Sequence, residues 1–240
     1  MTATLFLALA SMASAGDDNI KTLDGITFYE EKGAIYARLR EVATSFGESV
    51  NSAKGSWFIG KRQIDPRMTR RLLDGTLLVR LSSLANYGYL VRWDKESNRA
   101  VVKWKEKPGV AIFVRKGDQR VVVNKSHLML VGWQGQSVVF RSPVGIGRMG
   151  YETPNGQYKV QPYRTKMHLS SIYNNTPMPW AVQIVGNIFV HGSPQARGRS
   201  SHGCIRLATS GANPAKWFYS WVEKGTPVSV QGHWPANAKN

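Results

Sequence analysis

Two of the five histidines in this chain and its single cysteine, Cys204, fall between His191 and Arg206. An apolar run, Ile188-Phe189-Val190, ends on His191-Gly192. A loop of Gly, Ser, Arg and Pro comes next, then Ser201-His202-Gly203-Cys204, and a second apolar run starts at Ile205. That layout delivers an imidazole and a thiol from two backbone segments to one point. A thiol attacks only as its thiolate, so a base and positive charge must be close. Arg199 and Arg206 supply the charge. Gly203 leaves the backbone room to turn and to aim an amide N–H at a developing oxyanion. Residues two apart in an extended segment share a side, so His202 would run alongside Cys204, whereas His191 can point across to it. His191 is therefore the expected base and His202 a supporting group. Two plainer readings compete. A lone cysteine is often a small buried hydrophobe. His191, His202 and Cys204 could also be metal ligands, but the usual zinc spacings and a fourth ligand are missing, so no metal is expected.

The elements that must position these residues are mostly strands. Arg120 to Asn124, His127 to Val131 and Ser137 to Val144 alternate or run apolar, with a turn expected over Gly132 to Gln136. Gly145 to Gly150 is a glycine-rich turn without the Gly-Lys-Ser/Thr ending of a phosphate loop. Thr153-Pro154-Asn155-Gly156 is a turn feeding a strand, Gln157 to Gln161. Pro162 to Pro179 has no periodicity, so it is expected to be a long irregular lid or binding loop. Ala181 to Val185 and Ile188 to His191 flank Gly186-Asn187, a favoured two-residue hairpin turn. Asn213-Pro214 reads as an N-cap and first helical position, opening a helix to Glu223. Gly225 stops it, and Thr226 to Gln231 is the final strand.

Upstream lies a weak internal repeat. Gly33-Ala34-Ile35-Tyr36-Ala37-Arg38-Leu39 aligns with Gly75-Thr76-Leu77-Leu78-Val79-Arg80-Leu81, and both copies read as strand, short helix, then Gly47 or Gly88. The second copy ends in a hairpin, Tyr89 to Trp104, turning over Asp94 to Asn98. Lys105 to Gly109, charged and then Pro-Gly, is the expected boundary between the repeat and the strand-rich remainder of the chain.

Composition sets the outer limits. The chain has 240 residues and a formal net charge of +17, which favours polyanionic partners such as nucleic acid, anionic lipid or wall polymer. The basic residues are dispersed, and no aromatic-basic nucleic-acid module is evident. Residues 1–15 end in Ala13-Ser14-Ala15 after an apolar core, as a secretory signal does, and are too short for a comfortable membrane span. The basic segment that usually opens such a signal is absent, so either the start lies upstream or the signal is a weak one. No later stretch is apolar enough to span a bilayer.

These motifs carry two resemblances. Residues 20–106 resemble the small repeat module of copper amine oxidase N-termini and of exported bacterial wall enzymes, on the Arg-Leu…Ala…Gly pattern and the Trp93-Asp94 hairpin. Nothing in it looks like a copper site. Residues 119–231 resemble the L,D-transpeptidase catalytic domain of the YkuD type. The resemblance rests on His191-Gly192, Ser201 to Arg206, Val144 to Gly147, Thr153 to Tyr158, Met178-Pro179-Trp180 and Gly225 to Val230. It implies a mainly β chain, with a β-sandwich-like catalytic domain after a small α+β repeat domain. It implies Cys204 as nucleophile, His191 as base and the Gly192 carbonyl as its orienter. His202 and the Gly203 and Cys204 amides would serve the oxyanion. Arg206, with Ser201, Trp180 and Tyr173, would face the substrate. The implied activity transfers a peptidoglycan stem peptide, cut between its third residue and D-Ala, to an amine through a thioester and without a cofactor. Hydrolysis, or an inactive wall-binding protein, are the alternatives. The expected location is outside the cytoplasm, in periplasm or wall, with stem peptides and anionic wall polymer as partners. The loop from His191 to Ser201 is a few residues shorter than is usual in the family, so the pocket rim is where relatives should differ most.

Overall fold

A computed structural model describes residues 20–233. The expected signal over 1–15 lies outside the described residues. The chain is mostly β. Its first part runs β1 (Thr22–Thr27), β2 (Ile35–Arg38), α1 (Leu39–Ser45), β3 (Val50–Ala53), β4 (Ser56–Ile59), β5 (Arg62–Gln63), β6 (Thr69–Arg71), β7 (Leu77–Arg80), a 3-10 turn over Leu81–Tyr87, β8 (Tyr89–Asp94), β9 (Arg99–Trp104) and β10 (Lys107–Lys116). Seven of these strands form one sheet in the order β6-β7-β2-β1-β10-β9-β8, and β3, β4 and β5 form a small separate one.

The repeat has a structural meaning. Strands β2 and β7 pair antiparallel, with Ala37 opposite Val79, Tyr36 opposite Arg80 and Arg38 opposite Leu78. Ala37 and Val79 are the equivalent residues of the two copies, so the copies face each other across a local two-fold axis through that pair. Each strand then runs directly into its helical turn, which buries Leu39, Val42 and Ala43 in one copy and Leu81 and Leu84 in the other. The hairpin from Tyr89 to Trp104 forms with those two residues opposite each other. Asp94 Oδ1 accepts from Glu96 N at 3.1 Å in its turn. The stretch 105–109, where a boundary is expected, holds the start of a strand. Lys107 begins β10, which pairs with β9 and runs parallel to β1, so this strand completes the first sheet. Its pairing with β9 slips between Lys107 and Ala111, and that irregular stretch holds Pro108-Gly109.

The second part runs β11 (Gln119–Asn124), β12 (Met129–Gln134), β13 (Ser137–Pro143), β14 (Gly145–Gly147), β15 (Gly156–Lys159), β16 (Arg164–Ser170), β17 (Thr176–Val185), β18 (Ile188–Ser193), β19 (Gly198–Ser201), β20 (Ile205–Ala208), α2 (Pro214–Trp221) and β21 (Pro227–Gln231). One sheet has the order β13-β12-β11-β21-β15, the other β16-β17-β18-β20-β14-β19. Period-2 patterning is clear in β21, where Val228 and Val230 are buried between exposed Pro227 and Gln231. Strand β12 begins and ends later than expected, and its turn is Gly135-Gln136 rather than 132–136. Gly132 stays in the strand because the Trp221 ring packs where a side chain would stand.

The segment 162–179 is not an irregular loop. It is a long hairpin in which β16 pairs with β17, Ser170 opposite Thr176 and Arg164 opposite Val182. Helix α2 is capped by the Asn213 side chain accepting from Lys216 N, with Pro214 in its first turn, and it ends at Trp221. Phe218 and Trp221 are fully buried, each contributing about 2–3 kcal/mol of apolar burial. One core cluster joins both parts, with Ile26, Phe28, Tyr36 and Leu72 packing with Val121, Leu130, Phe140, Phe218 and Trp221. A second lies within the first part around Val42, Val79, Leu84 and Tyr89.

Candidate active site

Strand β18 carries His191 and pairs in parallel with β20, Val190 opposite Ile205 and His191 opposite Arg206. Cys204 immediately precedes β20, so the register sets it beside Phe189, one diagonal step from His191. Residues two apart on these strands share a face. His191, Phe189, Cys204 and Arg206 therefore line one side of a two-strand floor. Met178, Ala181 and Phe189 enclose the thiol in a small apolar cluster.

His191 is buried, and its Nδ1 lies 2.8 Å from Gly192 O. A carbonyl oxygen only accepts, so Nδ1 carries the proton and Nε2 keeps its lone pair. Burial pushes the imidazole pKa down to about 4, against the Gly192 bond that raises it; Arg206 and His168 push the same way as burial. Gly192 is fixed by crowding. A Cβ there would stand 2.6 Å from Thr209 Cγ2 and 3.1 Å from both Ala215 and Pro179.

Burial raises the Cys204 thiol above its ordinary value, while the Phe189 backbone amide and the Arg206 charge pull it back. Its Sγ donates to Asn187 O at 3.6 Å. The resting pair is thus a neutral thiol beside a neutral imidazole, with the base available and the nucleophile waiting for it. Arg206 Nη1 donates to Ser200 Oγ at 3.1 Å, and its buried Nε has no hydrogen-bond partner.

His202 does not share a face with Cys204. Gly203 has φ +112, which turns the chain between them and defeats the period-2 expectation. His202 lies at the rim, where Tyr173 stacks on it at 4.3 Å and Tyr151 meets it edge-on at 4.8 Å. Arg148 donates to its Nε2 at 2.8 Å. Tyr173 thus reaches the site from the tip of the β16–β17 hairpin. The same hairpin stacks His168 on Phe189 at 4.9 Å.

Two sequence candidates have other work. Ser201 is buried and shapes the turn, its Oγ donating to Cys204 O at 2.6 Å and accepting from Gly203 N at 3.1 Å. The Gly203 amide is therefore engaged and is not a ready oxyanion donor. Trp180 is not brought to the cysteine. It meets the Tyr219 ring at 5.6 Å and lies under Lys216 Nζ, on the α2 side of its strand. Its φ of +56 is a twist that sends it away from Met178 and Ala181.

Sequence reasoning passed over Arg148, Tyr151, Thr153 and Asn187. The first two come from the glycine-rich turn after β14, whose glycines hinted at a functional turn without saying what it meets. Among the large apolar side chains left exposed, Met149, Tyr151, Tyr163, Met167, Leu169 and Ile172 all lie on that turn or on the hairpin. Two of them adjoin the site, Tyr151 against His202 and Tyr163 against Phe189.

Residues 118–230 match the family model of the L,D-transpeptidase catalytic domain, YkuD. Over 105 residues the chain is 31% identical to the probable L,D-transpeptidase 3 of Mycobacterium tuberculosis, covering 37% of this chain and 38% of that protein. The chain thus spans well under half the length of this curated relative. A crystal structure of an L,D-transpeptidase from Stackebrandtia nassauensis is 25% identical, with a TM-score of 0.45, over 51% of this chain and 58% of that one. L,D-transpeptidase 3 from Mycobacterium tuberculosis with a faropenem-derived adduct is 17% identical, with a TM-score of 0.44, over 92% and 97%.

Proposed function

We propose, taking the L,D-transpeptidase catalytic domain matched over 118–230 as premise, that this chain is a cysteine-dependent peptidoglycan L,D-transpeptidase. The observation that carries the reading is the buried His191, its proton held on Nδ1 by Gly192 O, on the strand beside Cys204. A stem tetrapeptide enters with its scissile carbonyl carbon at Sγ. His191 Nε2 takes the thiol proton as sulfur attacks, and the carbonyl electrons move onto oxygen. The tetrahedral adduct collapses, the C–N bond to D-Ala breaks, and the leaving amine takes the proton from His191. A thioester on Cys204 remains. An acceptor amine then attacks the thioester carbonyl, losing its proton to the same nitrogen; the adduct collapses, the C–S bond breaks to release the new amide, and His191 returns the proton to the Cys204 sulfur. Met178, Ala181 and Phe189 shield the sulfur side of the thioester, and the acceptor approaches from the open side. Arg206, opposite His191 on the neighbouring strand, holds a carboxylate of the stem. Tyr173 and His202, stacked at 4.3 Å, wall the site on its hairpin side.

The first part of the chain, which we read as a copper amine oxidase N-terminal-like repeat domain ending at Gly117, holds the catalytic part near its polymer. The +17 charge suits an anionic wall, and export to the cell envelope fits the substrate. Among the described residues no helix is long and apolar enough to cross a membrane.

Intact-mass measurement after mixing the protein with a stem tetrapeptide, with and without an acceptor stem, tests this. Wild type is expected to gain the tripeptidyl mass, and Cys204→Ala to gain nothing. An adduct retained by Cys204→Ala would overturn the assignment. Free tripeptide as sole product in the presence of acceptor would make the enzyme a carboxypeptidase.

A further inference from the structure

The peptide unit between Gly203 and Cys204 is held from behind by residues far away in sequence. Gly203 O accepts from Thr153 Oγ1 at 2.8 Å, a buried contact. Thr153 Oγ1 in turn accepts from Gly147 N at 3.0 Å. The Thr153 carbonyl accepts from Lys125 Nζ at 2.8 Å. Thr153 is 1% exposed and Lys125 6%. A lysine is seldom this buried unless its ammonium is paired. Here its ammonium spans from β11's end to the turn that carries Thr153.

A peptide unit is planar and trans, so its C=O and N–H point opposite ways. Fixing the direction of Gly203 O fixes the direction of the Cys204 N–H. Three of the four backbone polar groups in Gly203 and Cys204 are already bound inside the protein. Gly203 N–H goes to Ser201, Gly203 O to Thr153 and Cys204 O to Ser201. The fourth, the Cys204 N–H, belongs to the nucleophile itself and so lies beside any carbonyl that Sγ attacks.

We propose that Thr153 is a positioning residue for acyl transfer: by anchoring Gly203 O it aims the Cys204 amide at the oxyanion, and Lys125 locks Thr153 in place. The inference rests on Cys204 being the acyl-accepting nucleophile. It predicts a defect confined to reactions that develop an oxyanion. Alkylation of the thiol by iodoacetamide passes through no oxyanion and needs only the thiolate.

The test compares two rates on the full chain, for wild type, Thr153→Val and Thr153→Ser. One is acylation by a stem tetrapeptide, read by intact mass. The other is iodoacetamide alkylation across pH. Thr153→Val keeps the shape and loses the donor. Its acylation should fall about tenfold or more, in line with the loss of an aimed oxyanion donor. Its alkylation rate and pH midpoint should stay within about twofold of wild type. Thr153→Ser should restore acylation to within about threefold, because it keeps the hydroxyl. Wild-type acylation by Thr153→Val would overturn the proposal. So would an equal fall in both rates, since that means the whole site has shifted. If Thr153→Val does not fold, Lys125→Met answers the same question, with acylation expected to fall and alkylation to hold. Unchanged acylation in that variant overturns the proposal too. If wild type forms no acyl-enzyme, the transpeptidase reading itself fails, and this inference falls with it.

Discussion

At the scale of single residues, the site sets two titrations against each other. Burial holds His191 neutral down to about pH 4 and pushes the Cys204 thiol upward. A buried imidazole with a depressed pKa stabilises the fold only while it stays uncharged. In the unfolded chain His191 titrates near 6.5 and in the folded chain near 4, so between those values the unfolded state binds more protons. Stability is complete above about pH 6.5 and is lost as pH falls through 4, by about 3 kcal/mol from this residue. Urea unfolding of wild type and His191→Gln at pH 7 and at pH 4 should show the wild type losing more stability, by about that amount. Parallel pH dependences would mean His191 is not held neutral in the fold. That these two residues come together was legible in the sequence because each adjoins an apolar run within one stretch. The role of His202 was not, since a single glycine with positive φ reverses the side-chain alternation on which that reading depended. Thr153 was visible as a turn residue and the start of a motif, with no sign of what it meets. Its contact with Gly203 joins segments that nothing in either local sequence links.

At the scale of elements, two glycines show how differently a backbone can be constrained. Gly192 is demanded by crowding, with Thr209 2.6 Å and Ala215 and Pro179 3.1 Å from the missing Cβ, all closer than van der Waals contact. Gly203 has open space around it, with nothing nearer than 3.8 Å, but its φ of +112 excludes other residues. Gly192→Ala should therefore destabilise the whole fold by about 1–3 kcal/mol, as overpacking does. Gly203→Ala should leave the packing intact and instead let the turn relax, so that acylation falls by about tenfold or more for a strain of about 1–3 kcal/mol. Thermal unfolding and acylation rate, measured together on the two variants, separate these outcomes. A large loss of stability with normal acylation in Gly203→Ala would contradict the account. The β16–β17 hairpin was hidden from sequence reading by Pro177 and Pro179. Both have the same parity in β17, so their missing N–H groups lie on one edge. That edge extends beyond the pairing with β18, which begins at Val182, and there no ladder bond is lost.

At the scale of the whole molecule, the two parts are fastened by a buried glutamine. Gln134 Nε2 donates to Thr27 Oγ1 at 2.7 Å and to Gly117 O at 3.1 Å. Its Oε1 accepts from Thr27 N and from Trp221 Nε1, each at 3.1 Å. The side chain is fully buried. Gln134→Leu strands donors and acceptors on both sides and should cost about 3–5 kcal/mol. Circular dichroism and tryptophan fluorescence should track one common urea transition, shifted as a unit. Two separated transitions, one of them unmoved, would show the parts to be independent. Nothing in the alternation of Met129 to Gln134 distinguishes this glutamine from a surface residue at a strand end. Its burial depends on the first sheet arriving from elsewhere in the chain.

Helix α2 meets that first sheet directly. Phe28 packs edge-on against Trp217 at 5.6 Å, and Trp217 Nε1 donates to Arg71 O at 3.0 Å. The far face of the same helix touches the strands that carry His191 and Cys204, through Ala215 beside Gly192. Replacing the first part by an unrelated segment would remove the packing partner of Trp217 and disturb the helix that backs Gly192. The shape of Trp217 is inherited jointly with Phe28, and the setting of His191 is inherited with both. A substitution in the first part at Phe28 would thus be felt at Gly192 through the body of α2.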